Sequence, residues 1–454
     1  MSIYYKQSDV LFKNSEDSET IQMIHVDAKH PFVVASGQID WQKLFLELNP
    51  VLYKGIRKFL GRKLDLRAHC GIFILQASHN WTDRFSEEML RYYAPVRIFC
   101  GYVQNSTKSI DHTKIEKFRN RLGKEGAEIL NKYLLNLAKK HNFTNGKQLD
   151  TDTTVQEAGI SYPADLNLMK KLRERAIHIA SKILGKSSSK IRELKVLENA
   201  ARKMEKVYRF FTHGKNVKEQ KRKLISKLRK ITEVFVDDLV YLSKKPRMTI
   251  ENIKPALQKE LNHLSKIGRT LLFQIKYWLA TGNVATGKIL SLYKSAPRYI
   301  GKGKIGKAYE IGRKFIVNQF HGGFLSVLAP ENPIIADSDT LIMALRQSFD
   351  IFGELPNSIG ADRIYSTKKN IRLLKLLKTS EIGLQPKGQK DWEVDRETAQ
   401  KLYCRRAAIE PRIGIAGRLG LKKSRAKTDA GDVISGYKAA VGFNFKKLMV
   451  CWAR

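Results

Sequence analysis

The chain has 454 residues, 43% of them hydrophobic, and carries 83 Lys and Arg against 44 Asp and Glu, a net charge of +39. That length and apolar content support two or three domains with cores of their own and exclude a disordered chain. The charge excess repels itself in isolation and suits a polyanion that releases counterions on binding, so nucleic acid is the expected partner.

Residues 1–35 read as a mixed leader, with a short strand at "MIHVDA" and neither the charged start nor the apolar core of a signal peptide. No uncharged apolar run is long enough to span a bilayer, so no membrane association is expected. Cys70, Cys100, Cys404 and Cys451 form no C-x-x-C pair, which suits reduced thiols in a cytoplasmic protein.

Residues 36–146 read as a helical N-terminal DNA-binding domain. Apolar residues recur at helical spacing from Trp41 to Leu60, and further helices are expected over Leu66 to Ser78, "DRFSEEMLRYYA" and "APVRIFCGYV". Asp111 then caps a helix whose basic face carries Lys114, Lys117, Arg119, Arg121 and Lys124, opposite Ile115, Phe118 and Leu122. Short helices ending in a basic one suit a helix-turn-helix reader of duplex DNA; an ordinary solvated basic helix is the alternative.

At Lys147 the texture changes. "KQLDTDTTVQEAG" alternates and is β-branched, as strands are, and it opens the first part of a core over 147–165. Asp150 and Asp152 fall two apart, so on a strand they point to one side, with Glu157 close after. Residues 166–300 form a strongly basic helical region with the apolar stripe Leu172, Ala176, Ile179 and Ile183; Pro246, Pro255 and Pro297 mark its breaks. Such a region suits clamping of a nucleic-acid backbone. "GKGKIGK" at 301–307 has the G-x-G-x-x-G spacing without a strand before it or a helix after it, and reads as a flexible basic loop. "GKSSSK" at 185–190 has Ala180 where a P-loop needs glycine.

The rest of the core spans 301–454. "YEIGRKFIVNQF" and "GGFLSVLA" form a hairpin, and a helix follows with Asp337 and Asp339 as expected caps. A buried strand ends at Asp362, then come a helix, the strand "EIGLQP" and a helix carrying Tyr403, Arg406 and Glu410 on one face. The class is therefore α/β, with strand ends and a helix able to aim carboxylates at one point. Phosphodiester chemistry asks for that: two Mg²⁺ ions about 4 Å apart activate a water or hydroxyl and steady the leaving oxygen. Hard divalent ions take oxygen ligands, and Arg406 suits an entering phosphate.

"LDTDTTVQEAGISYPADLNLM", "IGADRIYSTKKN", "YCRRAAIEPRIG" and "AAVGFNFKKLM" resemble, in that order, the blocks of bacterial insertion-sequence DDE transposases. More narrowly they resemble the branch with a Y-x-x-R-x-x-x-E signature, here Tyr403, Arg406 and Glu410. Trp41 to Leu122, with "RIFCGY" and "DHTKIEKFRNRL", resembles that branch's N-terminal helical domain.

The resemblance implies an RNase H-like catalytic core with a large helical insertion. It implies Asp152, Asp362 and Glu410 as catalytic and metal-binding residues, with Asp150 a neighbour. Two Mg²⁺ ions, with Mn²⁺ as a substitute, follow as cofactors. It further implies DNA contacts from Tyr403, Arg406, Arg418, Lys114, Lys117 and Arg121. The partners are double-stranded DNA, as terminal inverted repeats and target, and a second copy of the chain in a dimer or larger assembly at the bacterial nucleoid. Gly417 stands where the branch carries a basic residue, with Arg418 next to it, and Pro411 predicts a kink at Glu410. A catalytically inactive, transposase-derived DNA-binding protein is the alternative; a structure-specific nuclease is a third reading. An RNA-coating protein leaves the acidic blocks unexplained.

Overall fold

The computed structural model describes residues 26–55, 64–102, 109–160, 165–210, 216–244, 255–295, 297–304, 307–386 and 392–453. The chain forms two compact units, one made of Met1–Gly159 with Arg298–Arg454 and the other of Ile160–Pro297.

The first unit opens with helices α1 (Pro31–Gln38), α2 (Trp41–Leu52), α3 (Leu66–His79), α4 (Asp83–Tyr92), α5 (Ala94–Phe99) and α6 (His112–Lys140). Their starts are written locally: the side chains of Asp40, Asp65, Thr82 and Asp111 accept the backbone N–H of Lys43, Ala68, Phe85 and Thr113. Residues 23–25 of the expected first strand, and Ile56, Phe59 and Leu60 of the long helical pattern, lie outside the described residues.

α6 follows the run that Asp111 opens. It runs for 29 residues, bends at Gly123 (φ 61°, ψ −162°), and buries Leu130, Leu134 and Leu135 after Ile115, Phe118 and Leu122. The apolar stripe continues past the basic stretch, so the helix continues with it. It packs on the final helix, α15 (Asp429–Trp452), which also crosses α3 closely. A Cβ on Gly442 of α15 would lie 2.2 Å from the Ala77 carbonyl oxygen, so only glycine fits that crossing.

One mixed sheet follows, from β1 (Gln148–Glu157), β2 (Arg298–Lys304), β3 (Lys307–Phe320), β4 (Leu325–Leu328), β5 (Ser358–Ala361) and β6 (Glu381–Leu384). Its order is β2-β3-β1-β5-β6, with β4 also pairing with β3. β1 is antiparallel to β3 and parallel to β5, and β5 is parallel to β6. Within the expected loop at 301–307, residues 301–304 and 307 instead belong to paired strands, Gly301 with Tyr309 and Lys304 with Lys307, while 305 and 306 lie outside the described residues. Glycine and lysine are poor strand formers, but β3 offers them a ready edge.

The short strand β4 is held at Leu325 by two asparagines that also bond each other at 2.8 Å. Asn444 accepts the N–H of Leu325 at 2.9 Å and donates to its carbonyl at 2.6 Å, and Asn131 of α6 donates to the same carbonyl at 3.2 Å. Between and after the later strands lie α11 (Leu341–Phe352), α12 (Lys368–Leu376), α13 (Arg396–Ala407), α14 (Ile409–Ala416) and a π-type turn, Gly417–Leu421. Leu149, Phe315, Val317, Ile359 and Phe445 sit at the centre of the core.

The second unit consists of α7 (Asp165–Leu184), α8 (Ser189–Phe210), α9 (Val217–Lys244) and α10 (Pro255–Thr281) around their own core. Leu172, Ala176 and Ile179 are buried, with Ile183 packed against them, as the periodicity predicts. Within it Arg173, fully buried, binds Glu198 at 2.8 Å, the Thr232 hydroxyl at 2.9 Å, and Glu205. A buried guanidinium is tolerable only with such partners. Pro255 opens α10, where its missing N–H costs nothing, and Pro246 lies outside the described residues.

Candidate active site

The register of the sheet decides which acidic residues meet. Thr151 of β1 is opposite Ala361 of β5, the last pair of their parallel ladder. Asp152 and Asp362 are the next residue on each strand, so their backbones run side by side where the ladder ends. This is the carboxyl end of parallel strands, where open α/β sheets place ligands. Asp362 also accepts the Arg363 N–H at 2.7 Å, turning the chain away from the sheet, and Asp152 accepts that of Thr153 at 2.7 Å.

α13 lays its C-terminal turn over these ends, presenting two successive arginines where the helix dipole favours cations. Arg405 takes Asp150: its Nε donates to both carboxylate oxygens at 2.9 and 3.1 Å, and its Nη1 to the Ser358 hydroxyl at 2.6 Å. Gln319 supplies a further donor to Asp150 at 3.0 Å. Asp150 is thus buried and fully engaged, although burial still holds its carboxyl above the usual range. A Cβ on Gly360 would lie 2.3 Å from Asp150 Oδ1 and 3.5 Å from Arg406 Cβ, so this glycine lets α13 approach the strand.

Arg406 takes the other three carboxylates. Its Nη2 lies 3.8 Å from Asp152 Oδ2, 3.5 Å from Asp362 Oδ2 and 3.8 Å from Glu410 Oε1. Its Nε is buried without a hydrogen-bond partner among the described residues. These are ion-pair distances rather than charge-assisted hydrogen bonds, so the guanidinium sits among the acids without being clamped by any one of them.

Glu410 reaches this point because the helix breaks. α13 ends at Ala407 and α14 restarts at Ile409, with Pro411 in its first turn where a missing N–H is tolerated. The kink expected at Glu410 falls instead at Ala408, and Glu410 is itself helical, since a proline ring in the first turn of a helix disturbs the residues before it. Burial, with Asp362 and Asp337 adding repulsion, pushes the Asp152 carboxyl up to about 6 against the opposing pull of the Thr153 N–H and Arg406.

A cleft of about 520 Å³ extends from here along β1, lined by Asp152, Glu157, Glu310, Glu410, Lys422 and Lys423 among others. Glu310, Lys422 and Lys423 carried no signal in the sequence, because nothing local ties them to the acidic blocks.

Other expected residues fall elsewhere. Tyr403 is largely exposed, and no contact joins it to the carboxylates among the described residues. Lys114 and Lys117 are exposed on α6. Arg121 donates to the Leu52 carbonyl at 2.5 Å and lies over the Tyr53 ring, and Arg119 is paired with Asp83, so that basic face is partly consumed within the protein. Arg418 is exposed in the turn after α14, its carbonyl accepting from Asn80 at 2.8 Å.

Asp337 and Asp339 do not cap a helix. Asp337 accepts from the Thr153 hydroxyl at 2.9 Å and Lys314 at 2.5 Å, and Asp339 pairs with Lys369 at 3.4 Å. Among the described residues one group of metal-ligating side chains closes within 4.8 Å, Glu87, Asp111 and His112. Its hydrogen bonds, from the His112 N–H and ring to Glu87 and from Thr113 to Asp111, are those of a helix start.

Residues 21–121 match the family model described as Transposase domain (DUF772), which supports a transposase. No curated protein matches the chain, and neither does any solved structure. No helix among the described residues is long and apolar enough to cross a membrane.

Proposed function

We propose that this chain is a DDE transposase that cuts DNA at the ends of a mobile element and joins the freed 3′ hydroxyls to target DNA. The observation that carries the reading is the gathering of Asp152, Asp362 and Glu410, from the middle of β1, the end of β5 and a helix, around the Arg406 guanidinium. An RNase H-like core is the framework that best accounts for the strand order β2-β3-β1-β5-β6, with β4 also on β3, and β1 antiparallel to β3 and parallel to β5.

Three carboxylates drawn around one positive charge form an all-oxygen donor set that fits Mg²⁺, or Mn²⁺ in its place. Bound there, a pair of such ions would polarise the phosphodiester and stabilise charge on the attacking and leaving oxygens. The chain's own residues do the rest. Asp150 and Arg405 lock α13 to β1 and β5, which places Arg406 and, through the break at Ala408, Glu410. Arg406 turns from the carboxylates to an entering phosphate, which its planar fork suits. Lys422 and Lys423 on the cleft wall attract the backbone, and duplex DNA binds a chain of this charge at a salt-dependent affinity.

In the first reaction a P–O3′ bond breaks as a water oxygen joins phosphorus, leaving a 3′ hydroxyl. In the second that hydroxyl displaces a 3′ oxygen of the target, so one phosphodiester replaces another and no outside energy source enters. The test is cleavage of a labelled terminal repeat in Mg²⁺. Asp152→Asn, Asp362→Asn and Glu410→Gln each fall below about one-hundredth of the parent rate, since losing an oxygen ligand removes several kcal/mol of charge stabilisation. Parent-like cutting by any of the three removes that residue from the ligand set.

The second reading is a DNA-binding protein without catalysis, favoured by Gly417 at a position expected to be basic. Tight repeat binding with no metal-dependent cleavage supports it, and cleavage without strand joining supports a nuclease.

A further inference from the structure

A second cleft, of about 710 Å³, opens where α3, α4 and α6 meet the turn after α14 and the start of α15. Six cations line it: Arg119, Arg418, Lys423, Arg425, Lys427 and Lys438. The carboxylates on its wall are Asp83 and Glu116, and Asp83 is already held by Arg119 through hydrogen bonds of 2.5 and 2.9 Å. Arg418, Lys423, Arg425 and Lys427 are exposed, and among the described residues none of the four has an ion-pair partner. The rim therefore holds concentrated positive charge that the protein itself does not neutralise.

The floor is built differently. Lys438 of α15 donates from Nζ to the side-chain carbonyl of Gln76 at 2.8 Å, and Gln76, buried on α3, gives its own amide N–H to Asp83 at 2.6 Å. The ammonium thus rests on a neutral amide, close to the Arg119 guanidinium. Burial and Arg119 lower its pKa to about 7, with Asp83 opposing them only in part. A cation held in this way is uncompensated until an anion arrives.

The second cleft also joins the first. Lys423 lines both, and the backbone beside it is stitched to the end of β1, the Glu157 N–H donating to the Lys422 carbonyl at 2.8 Å.

We propose that this cleft binds the sugar-phosphate backbone of duplex DNA next to the scissile position, the rim cations pairing with successive phosphates and Lys438 receiving one at the floor. The assignment rests on the reading of the chain as a DNA-processing enzyme and adds to it the surface that holds the duplex. One small anion would satisfy one of these cations and leave the rest unpaired, whereas a backbone offers a phosphate to each. The surface is invisible in the sequence, because Gln76, Arg119, Arg425 and Lys438 come from four separate stretches.

The test uses the full chain in a chelator, so that no cutting occurs, with a fluorescent duplex of about 25 base pairs followed by anisotropy across a salt series. Arg425→Ser with Lys427→Ser weakens binding about tenfold near physiological salt. It also flattens the slope of log affinity against log salt by about two, close to one for each phosphate that is no longer neutralised. Lys438→Met, which removes a half-buried charge and keeps the volume, weakens binding severalfold with no loss of thermal stability. Arg372→Ser with Lys375→Ser, two exposed cations on α12, changes neither quantity as much.

An unchanged affinity and slope for the Arg425 and Lys427 pair overturns the proposal, as does an equal effect from the α12 pair. Catalysis is scored separately: a chain that binds through this cleft and never cuts loses the transposase reading and keeps this one. A chain that cuts while the cleft variants bind like the parent does the reverse.

Discussion

Replacing Arg406 with alanine leaves three carboxylates facing one another without their shared counter-charge. Asp362 and Glu410 are 40% and 68% exposed, so water already screens them, and each of their pairs contributes at most about 1 kcal/mol. Asp152 and Arg406 are 21% and 16% exposed, and breaking a pair that deep costs up to about 3 kcal/mol. Separations of 3.5 to 3.8 Å exceed hydrogen-bond length, which argues for the lower part of that range, about 2 kcal/mol in all. For a unit of roughly 300 residues that lowers Tm by about 3 °C in the absence of divalent ions.

Titrating Mn²⁺ into both proteins then separates the possibilities. In the parent a cation must displace the guanidinium, whereas in the variant nothing competes. The variant therefore binds about tenfold more tightly, and saturating Mn²⁺ raises its Tm by more than the parent's. Arg406→Lys, which keeps the charge, stays near the parent in both respects. An Arg406→Ala protein as stable as the parent, with no larger response to Mn²⁺, refutes the account of Arg406 as the counter-charge of the acidic set.

Two further outcomes follow from the same geometry. Asp150→Asn leaves the Arg405 guanidinium buried against a neutral amide; it destabilises the chain by about 3 kcal/mol in denaturant unfolding, because the surviving charge loses its partner. Lys438→Met raises Tm most near ~pH 6 and little near ~pH 10. The sign follows from a folded pKa of about 7 against an unfolded value near ~10.4. Between those values the unfolded chain holds a proton that the folded chain lacks, so parent stability climbs with pH across the window and the penalty is complete below it. A thermal scan of both proteins at several pH values checks this, and a gain independent of pH contradicts it.

Much of the secondary structure was legible because its causes are local. The cap at Asp111, the alternation of β1, the stripe of α7 and the helix break just before Pro411 each depend on residues within a few positions of one another. The misreadings have physical reasons too. Gly301 to Lys304 lack strand-forming side chains and pair because β3 is beside them. The basic face of α6 is only partly available, because Arg119 and Arg121 engage Asp83 and the Leu52 carbonyl while Lys114 and Lys117 stay exposed. Asp337 looked like a cap and instead joins Lys314 and Thr153.

By itself the sequence determined the chain's excess of positive charge, the α/β alternation and the face shared by Arg406 and Glu410, since these depend on composition and on one helical turn. It placed Asp150 and Asp152 on one side of a strand but left their different surroundings open. Tertiary structure made that distinction: the β1–β5 register sets Asp152 beside Asp362, and consecutive arginines at the end of α13 reach two different carboxylates. Register and helix docking arise from contacts between segments some two hundred residues apart, and no pattern within a single segment encodes them.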